Sequence, residues 1–344
     1  MKDKPFGLDI GATTMKAVWL SEGKTGFLLK ASVVVSTPPK GMLSESPIDQ
    51  EEMSQAIRNI IGQAKITVSS VNIALPETQV YTKVLEMPVL SDKELSSAIY
   101  WEAEQHIPVP LPSITLDYKV LKRPDQGELN GTMTVLLVGA PTMLINKYEK
   151  IMAMSGLTIN SVETEILSVI RSSQRGQNSP NTLFVNIGAI NTFLAIVKDN
   201  ILVFTYSIPT GGSVINRAIA ADFGFTTIQA EEYKKVYGIS EKILGGKIGK
   251  VTTPIVMSIV SEVKKALSFY SEKYKSESSI QQILLSGGTA KLPGIDAFFA
   301  QNCGIETVTA NPWKILSDQN VPKEILDNAP DYAVAVGLAM RDYE

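Results

Sequence analysis

The segment "GLDIGATTMKAVWL", Gly7 to Leu20, places a short polar turn between two apolar stretches that alternate like strands. Gly11 gives the turn conformational freedom, and the backbone N–H groups of Ala12–Thr14 can converge on an anion. Two threonine hydroxyls and the charge of Lys16 add further donors. The pattern therefore predicts a phosphate-binding hairpin.

Asp9 stands at the end of the first strand of this hairpin. It is placed to hold a hydrated Mg²⁺, an ion that usually keeps several waters and takes one or two carboxylates. A bare hairpin turn without a ligand is the alternative interpretation of so short a motif.

The same turn recurs in the second half of the chain. "DIGA" at Asp9–Ala12 and "NIGA" at Asn186–Ala189 share three of four residues at an offset of 177 (186 − 9). Both open a strand-turn-strand pattern, and the offset is about half of the 344 residues. This repeat predicts two halves with the same architecture.

Composition narrows the possible classes of protein. With 44% apolar and 19% charged residues, 344 residues suit two domains. A net charge of −3 gives no general attraction to nucleic acid, so we expect no nucleic-acid partner. A single cysteine, Cys303, and a single histidine, His106, argue against a disulfide, structural zinc and Ser-His or Cys-His catalysis. The N-terminus reads directly into a strand and lacks a signal-peptide pattern, so a cytoplasmic protein is expected.

A third Gly-rich turn follows a later strand. "ILLSGGTAKLPG" places Ser286–Thr289 between an apolar strand and a helix-like segment, where a backbone can approach a ligand closely. The chain contains neither G-x-x-x-x-G-K-[ST] nor G-x-G-x-x-G. The expected phosphate chemistry is therefore neither of the P-loop kind nor of the dinucleotide-fold kind.

The order of strands and helices predicts domain boundaries. Residues 1–178 form a first domain with an inserted subdomain at about 83–158, and residues 179–330 form a second domain. "RGQNSPN", residues 175–181, is the predicted interdomain linker. A last helix, within residues 331–344, is expected to return to the first domain.

Several motifs, taken in order, resemble one superfamily. They are "GLDIGATTMKAV", "LEMPVLSDKELSSAIYWEAEQHIPVPLPSITLDYKVL", "IPTGGSVINRAIAADFG", "AEEYKK", "LSGGTAKLPG", "NPW" and "AVAVGLAMR". Together they resemble the actin-like nucleotide-binding superfamily and, within it, the FtsA-related PilM family of type IV pilus assembly. The resemblance implies an α/β, actin-like (ribonuclease H-like) two-domain fold with duplicated halves and an inserted subdomain of the FtsA/PilM type.

The resemblance implies binding of ATP or ADP with Mg²⁺, the ion lying near Asp9 through water. The residues that match the nucleotide motifs are Asp9, Gly11, Ala12, Thr13, Thr14, Lys16, Asn186, Gly188, Ala189, Gly211, Gly212, Glu231, Lys234, Gly287, Gly288 and Thr289. Glu231 and Lys234 match an acid and a lysine placed around the ribose and adenine in the family. On charge pattern alone, a solvated helix face explains these two equally well.

Asn186 departs from the superfamily, which normally has Asp at this position. An amide attracts Mg²⁺ less strongly than a carboxylate and cannot accept a proton. We therefore expect ATP hydrolysis to be slow or absent. Glu165, in "VETEI", is the remaining candidate for positioning water, with a simple helix-starting acid as the alternative.

Two classes of function remain open. The first is a nucleotide-dependent scaffold that binds the cytoplasmic N-terminal segment of a PilN-like inner-membrane protein, and so lies at the inner face of the inner membrane. The second is a small-molecule, sugar-type kinase or an active ATPase of the same superfamily. A kinase needs a general base beside its acceptor hydroxyl, and the second turn offers no acid for it. Self-association is left open.

The partner site is predicted on the inserted subdomain. Its helix, "SDKELSSAIYWEAEQHI", starts with a capping box formed by Ser91 and Glu94. One side of this helix carries Leu95 and Ile99, and an adjacent side carries Trp101. Since packing must use one side, the other is free to line a groove for an extended peptide.

Overall fold

Thirteen strands form three sheets in a computed structural model that describes residues 4–124, 131–174, 179–239, 246–274, 279–317 and 321–343. The strands are β1 (Phe6–Ile10), β2 (Thr14–Glu22), β3 (Phe27–Ser36), β4 (Ser70–Leu75), β5 (Tyr81–Pro88), β6 (Ile114–Lys122), β7 (Thr132–Pro141), β8 (Thr158–Thr164), β9 (Thr182–Ile187), β10 (Thr192–Lys198), β11 (Ile201–Ile208), β12 (Gln282–Ser286) and β13 (Glu306–Thr309).

Ten α-helices cover these sheets within the described ranges. They are α1 (Pro47–Ala64), α2 (Asp92–His106), α3 (Thr142–Met154), α4 (Glu165–Ser173), α5 (Gly212–Phe223), α6 (Thr227–Tyr237), α7 (Lys247–Tyr274), α8 (Ile295–Cys303), α9 (Lys323–Asp327) and α10 (Ala333–Met340). None of the described helices is both long enough and apolar enough to span a bilayer.

The two large sheets have the same topology. Their strand orders are β3-β2-β1-β4-β8 and β11-β10-β9-β12-β13, each with an antiparallel hairpin on one side and parallel strands on the other. Asp9 pairs with Lys16 in the first hairpin, and Asn186 pairs with Phe193 in the second. Both positions are related by the offset of 177 residues that the sequence repeat predicts. The duplicated fold is confirmed at the level of strand register.

Each half has its own apolar core on one face of its sheet. In the first half, Met53, Ile57 and Ile60 of α1 repeat at helical spacing and pack on β1 and β2. Helix α1 begins with Pro47 at its first position and ends at Lys65 in the left-handed region. In the second half, the core combines β9, β10 and β12 with α5, α7 and α8.

A separate apolar cluster joins the two halves. It contains Ile166 and Val169 of α4, Phe184 of β9, and Val334 and Leu338 of α10. Helix α10 also lies against β1, where a β-carbon at Gly7 would be 2.3 Å from the carbonyl oxygen of Ala335. The C-terminal helix therefore packs on the first sheet and contributes to the contact between the halves.

The inserted subdomain is a three-stranded sheet, β5-β7-β6, with α2 on one face. Its end differs from the predicted boundary at Thr158. Tyr148 and Ile151 of α3 are buried in the core of the first sheet, and β8 is a strand of that sheet. The subdomain therefore ends near Pro141, because the next helix packs with α1. Most of the predicted linker, residues 175–178, lies outside the described ranges.

Strand β5 connects the inserted subdomain to the second half. The hydroxyl of Thr205 on β11 donates to the carbonyl oxygen of Thr82 at 3.3 Å. Lys273 on α7 forms an ion pair with Glu86 at 2.8 Å, and the Tyr274 hydroxyl donates to the same carboxylate at 3.2 Å. The inserted subdomain thus contacts both halves.

Candidate functional site

The two hairpin turns have matching backbone geometry. The N–H of Gly11 donates to the carbonyl oxygen of Thr14 at 3.1 Å, and the N–H of Gly188 donates to that of Asn191 at 2.9 Å. Ala12 and Thr13 are exposed at the tip of the first turn. The first turn therefore presents a short exposed stretch of backbone, as an anion site requires, whereas Gly188 and Ala189 of the second turn are partly buried.

Asp9 and Lys16 form a buried pair beneath the first turn. Their side chains approach to 3.4 Å, and Lys16 also donates to the Thr14 hydroxyl at 3.0 Å. Burial raises the pKa of Asp9, and the neighbouring Lys16 charge opposes that rise. Lys16 is thus held beside the turn, where its ammonium can contact a phosphate.

Three acidic or hydroxyl side chains lie near Asp9. Burial, followed by the charges of Asp9 and Glu77, raises the pKa of Glu165 to about 8. Burial also raises the pKa of Tyr148, with further contributions from Glu165 and Asp9. The Tyr148 hydroxyl is buried without a hydrogen-bond partner. Burial and mutual repulsion therefore disfavour the charged forms of these acids, with Lys16 as the neighbouring cation.

This environment fits a hydrated Mg²⁺. No group of three metal-ligating side chains occurs among the described residues, so an all-protein cage is not formed there. Mg²⁺ commonly binds through one or two carboxylates together with water and nucleotide phosphates. Asp9 would hold such an ion, and the ion's charge would relieve the repulsion between Asp9 and Glu165.

The second turn is fixed by the start of α5. The N–H of Gly212 donates to the Gly188 carbonyl oxygen at 2.9 Å, and the N–H of Ser213 donates to that of Ala189 at 2.8 Å. Gly211 precedes the helix and lies against the same turn, where a β-carbon would come within 2.7 Å of the Gly188 oxygen. Gly211 and Gly212 therefore hold the turn in place, and the Gly212 N–H is already used.

Asn186 lies next to the third Gly-rich turn. Its side-chain oxygen accepts a hydrogen bond from the Ser286 hydroxyl at 3.1 Å. Gly287 has φ of 82°, and a β-carbon there would lie 2.6 Å from the Ile187 carbonyl oxygen. Only glycine fits this close approach between two strand ends.

Lys234 lies against the second half's turns and not in solvent. It is only 6% exposed and pairs with Glu231 at 2.5 Å, while Asn216 donates to the same carboxylate at 2.6 Å. A β-carbon at Gly212 would lie 3.2 Å from the Lys234 ammonium and 2.4 Å from the hydroxyl of Thr289. Burial lowers the pKa of Lys234, and the Glu231 carboxylate opposes this. Lys234 is thus not part of a solvated face, whereas Glu231 is half-exposed.

Sequence reasoning missed a group from the C-terminal segment. Asp331 pairs with Lys291 at 2.5 Å, and a β-carbon at Gly288 would lie 3.2 Å from an Asp331 carboxylate oxygen. Asp331 also contributes to the raised pKa of Asp9. It therefore connects the third turn with the first. No local motif marks it, since its neighbours are distant in sequence.

The predicted residues thus fall into two neighbouring groups. Asp9, Lys16 and Glu165 belong to the first half, and the second half contributes Gly188, Ala189, Asn186, Gly211, Gly212, Lys234, Glu231, Gly287, Gly288 and Thr289. Glu77, Tyr148 and Asp331 join them without having been predicted.

Two halves of equal topology, each with its own Gly-containing hairpin turn, define the actin-like class of proteins. The chain belongs to the family of the type IV pilus assembly protein PilM, whose family model matches residues 7–343. It is 25% identical to a chain of the PilM-PilN type IV pilus biogenesis complex, with a TM-score of 0.86 over 99% of this chain and 98% of that chain.

More distant relatives share the fold. Cell division protein FtsA of Streptococcus pneumoniae serotype 2 is 25% identical over 330 residues, which are 84% of this chain and 71% of FtsA. MreB5 of Spiroplasma citri, in a structure bound to AMPPNP, is 14% identical with a TM-score of 0.53 over 98% of this chain and 95% of that chain.

Proposed function

We propose that the protein is an ATP-binding scaffold of the type IV pilus inner-membrane assembly platform. The observation that carries ATP binding is the arrangement of two equivalent hairpin turns with Asp9, Lys16 and Asp331 near the first turn and the third Gly-rich turn beside the second. Asp9 would hold Mg²⁺ through water, Lys16 would contact a phosphate, and the Gly287–Gly288 turn would lie along the nucleoside. The similarity in fold to MreB5, whose structure was solved with bound AMPPNP, supports this proposal.

Calorimetric titration with Mg·ATP tests the site. Replacing Lys16 by Ala removes a charge-assisted contact of about 1.5 to 3 kcal/mol, which weakens binding roughly 10- to 150-fold. Lys265→Ala is the matched control, because Lys265 is exposed and its ammonium pairs with Glu262. Unchanged affinity of a folded Lys16→Ala protein would remove Lys16 from the site.

The partner we propose is the cytoplasmic N-terminal segment of a PilN-like inner-membrane protein, which would hold this protein at the inner face of the membrane. A cavity of about 320 Å³ lies where the inserted subdomain meets the first half. It is lined by Glu45, Thr78, Gln79, Val80, Tyr81, Pro141, Met143, Leu144 and Lys147. We call this cavity the junction groove. The solved PilM-PilN complex supports the choice of partner.

Exposed apolar side chains lie beside the junction groove. Met143 in its wall is 80% exposed, and Leu43 and Ile48, on either side of the groove-lining Glu45, are 71% and 79% exposed. Lys147 pairs with Glu45 and donates to the Met42 carbonyl oxygen at 3.1 Å. An extended peptide with two or three apolar anchors matches such a surface.

The alternative surface is the free side of α2. Leu95, Ile99 and Ala103 are buried against the sheet, whereas Trp101 is 66% exposed. Trp101 is absent from the lining of the junction groove. Two separate surfaces therefore need to be distinguished.

Titration of a synthetic peptide that copies the partner's N-terminal segment distinguishes them. We expect micromolar binding to the full-length protein, typical of small transient interfaces. Met143→Glu should weaken binding at least about tenfold by placing a charge at an apolar contact, and Trp101→Glu should leave it unchanged. The opposite pattern would assign the peptide to α2. Both side chains are exposed, so both variants should fold.

A further inference from the structure

Glu77 lies between the candidate nucleotide site and the junction groove. It begins a short 3-10 turn, Glu77–Gln79, that leads from β4 to β5. Its side chain is buried, and its two carboxylate oxygens face different elements. One accepts from the Ile166 N–H and the other from the Thr82 hydroxyl, both at 3.2 Å.

The first contact reaches the nucleotide side. Ile166 is the second residue of α4, and the residue before that helix, Thr164, provides no side-chain cap. The Glu77 carboxylate therefore caps α4 from another part of the chain. The first residue of the same helix is Glu165, which lies within electrostatic reach of Asp9.

The second contact reaches the junction groove. The four residues after Glu77, Thr78 to Tyr81, all line the groove, and Thr82 follows directly. The Thr82 backbone also accepts from Thr205 of the second half. A movement of α4 or of β11 would therefore displace the residues that line the junction groove.

The donors to Glu77 argue against a purely structural role. Within the described ranges, the hydrogen bonds that reach its carboxylate come from neutral groups, and no cation pairs with it. Burying an acid without a counter-charge is expensive, and an apolar or neutral side chain commonly serves stability as well or better. A buried acid that accepts hydrogen bonds from two different elements is instead suited to fixing the position of one element relative to the other.

We propose that Glu77 is a positioning residue that couples the nucleotide site to the junction groove. Mg·ATP orders the first turn of α4 through Asp9 and Glu165, Glu77 holds that turn to Thr82, and the groove lining 78–81 is ordered in turn. By linkage, a peptide in the groove changes ATP affinity by the same factor. This inference rests on the proposed function.

Hydrogen exchange of the full-length protein measures the coupling. We expect saturating Mg·ATP to slow exchange of the amides in residues 78–81 at least about fivefold, the lower range of allosteric coupling. Glu77→Ala should abolish this response. Thr82→Val should do the same while leaving the cap on α4, and Thr82→Ser, which keeps the hydroxyl, should restore it. A residue that only stabilised the fold would not distinguish Val from Ser in this way.

Glu45→Gln is the control, because Glu45 lines the same groove but pairs with Lys147 and has no hydrogen bond to α4. Nucleotide binding is measured first by calorimetry on each variant. If Mg·ATP binds and exchange of 78–81 does not change, the coupling is refuted while the proposed function stands. A full response in Thr82→Val would also refute it, even if Glu77→Ala does not fold. Absence of ATP binding in the unmodified protein would remove both the coupling and the proposed nucleotide function.

Discussion

Asn186 occupies in the second half the position that Asp9 occupies in the first. Both are buried at the ends of equivalent strands, but Asp9 pairs with Lys16 and Asn186 accepts from the Ser286 hydroxyl. The two equivalent strand ends thus provide one carboxylate between them, so fewer acids are available there to hold both the metal and a water for attack. An amide oxygen still accepts hydrogen bonds, so the position can support bound ATP without promoting its hydrolysis.

We therefore predict that the unmodified protein hydrolyses ATP slowly or not at all. Asn186→Asp should raise single-turnover phosphate release by roughly 100-fold, the lower range of general acid–base catalysis. The new carboxylate can keep the bond from Ser286, so the fold should tolerate it. Asn191→Asp in the second turn controls for added charge. Rapid turnover by the unmodified protein would contradict this interpretation.

Glu165 gives the protein without metal a distinctive dependence on pH. Its pKa is about 8 in the folded state, against 4.5 for an ordinary glutamate. Between these values the folded state keeps a proton that the unfolded state releases, so stability falls as pH rises from 4.5 toward 8. The groups that face it are Asp9, Glu77, Tyr148 and the cation Lys16.

Urea unfolding in the presence of EDTA tests whether stability falls as the pH rises. From about pH 5.5 to 8.5, the unmodified protein should lose roughly 1 to 3 kcal/mol relative to Glu165→Gln, whose side chain does not titrate. Subtracting the variant's free energy of unfolding from that of the unmodified protein removes the contributions of the other titrating groups. An equal pH slope in both proteins would show that Glu165 ionises as an ordinary surface acid.

The residues that sequence reasoning found are those that stand in a recognisable local motif. The pairing of Asp9 with Lys16 follows from one hairpin, and the equivalence of Gly11 and Gly188 follows from the repeat. Tyr148 and Asp331 were missed because their neighbours in the site come from segments far away along the chain. Only the packing of α3 and the C-terminal segment brings them there.

At the scale of elements, local signals located most helices and strands but not every boundary. The capping box of Ser91 and Glu94 starts α2 as predicted, with the Ser91 N–H donating to Glu94 at 2.9 Å. Helix α7 instead starts at Lys247 and carries Pro254 inside it, although a proline is a local signal for the start or end of a helix. Burial of Ile248 and Thr252 shows that tertiary packing overrides the signal.

Helix α10 packs closely on α4. A β-carbon at Gly337 would lie 1.9 Å from the carbonyl oxygen of Ser168. The two helices can approach this closely only because no side chain intervenes. The approach also positions α4, whose first turn carries Glu165.

Gly337→Ala should therefore destabilise the protein by at least about 1 to 3 kcal/mol, as overpacking does. Gly62→Ala in α1 is the matched control, since no atom beyond the neighbouring backbone of its own helix lies within 4 Å of the added carbon. It should stabilise by about 0.5 to 1 kcal/mol through helix propensity. Thermal unfolding measures both, and equal shifts in the two variants would refute the close approach.

At the scale of the whole molecule, strand β9 serves two cores at once. Leu183 and Val185 point into the core of the second half, whereas Phe184 between them packs in the cluster shared with α4 and α10. The inserted subdomain has a core made of its own strands and helix, to which Leu95 belongs, but Leu136 of its strand β7 also packs in the shared cluster. The two halves should therefore unfold together, and loss of its own core should open the inserted subdomain first.

Pulsed hydrogen exchange at increasing urea, read separately on β2, β7 and β10, tests this division. Phe184→Ala should cost about 3 to 5 kcal/mol and lower the midpoints of β2 and β10 by the same amount, because both sheets depend on the shared cluster. Leu95→Ala removes a side chain that is likewise fully buried, but it should reduce protection mainly in β7. Saturating Mg·ATP should raise the urea midpoints of β2 and β10 together, since the proposed site takes groups from both halves and a bound ligand stabilises by mass action. If β10 unfolds in the Phe184→Ala protein while β2 keeps its urea midpoint, the two halves unfold independently. A nucleotide bound between them would then not stabilise both halves as one cooperative unit.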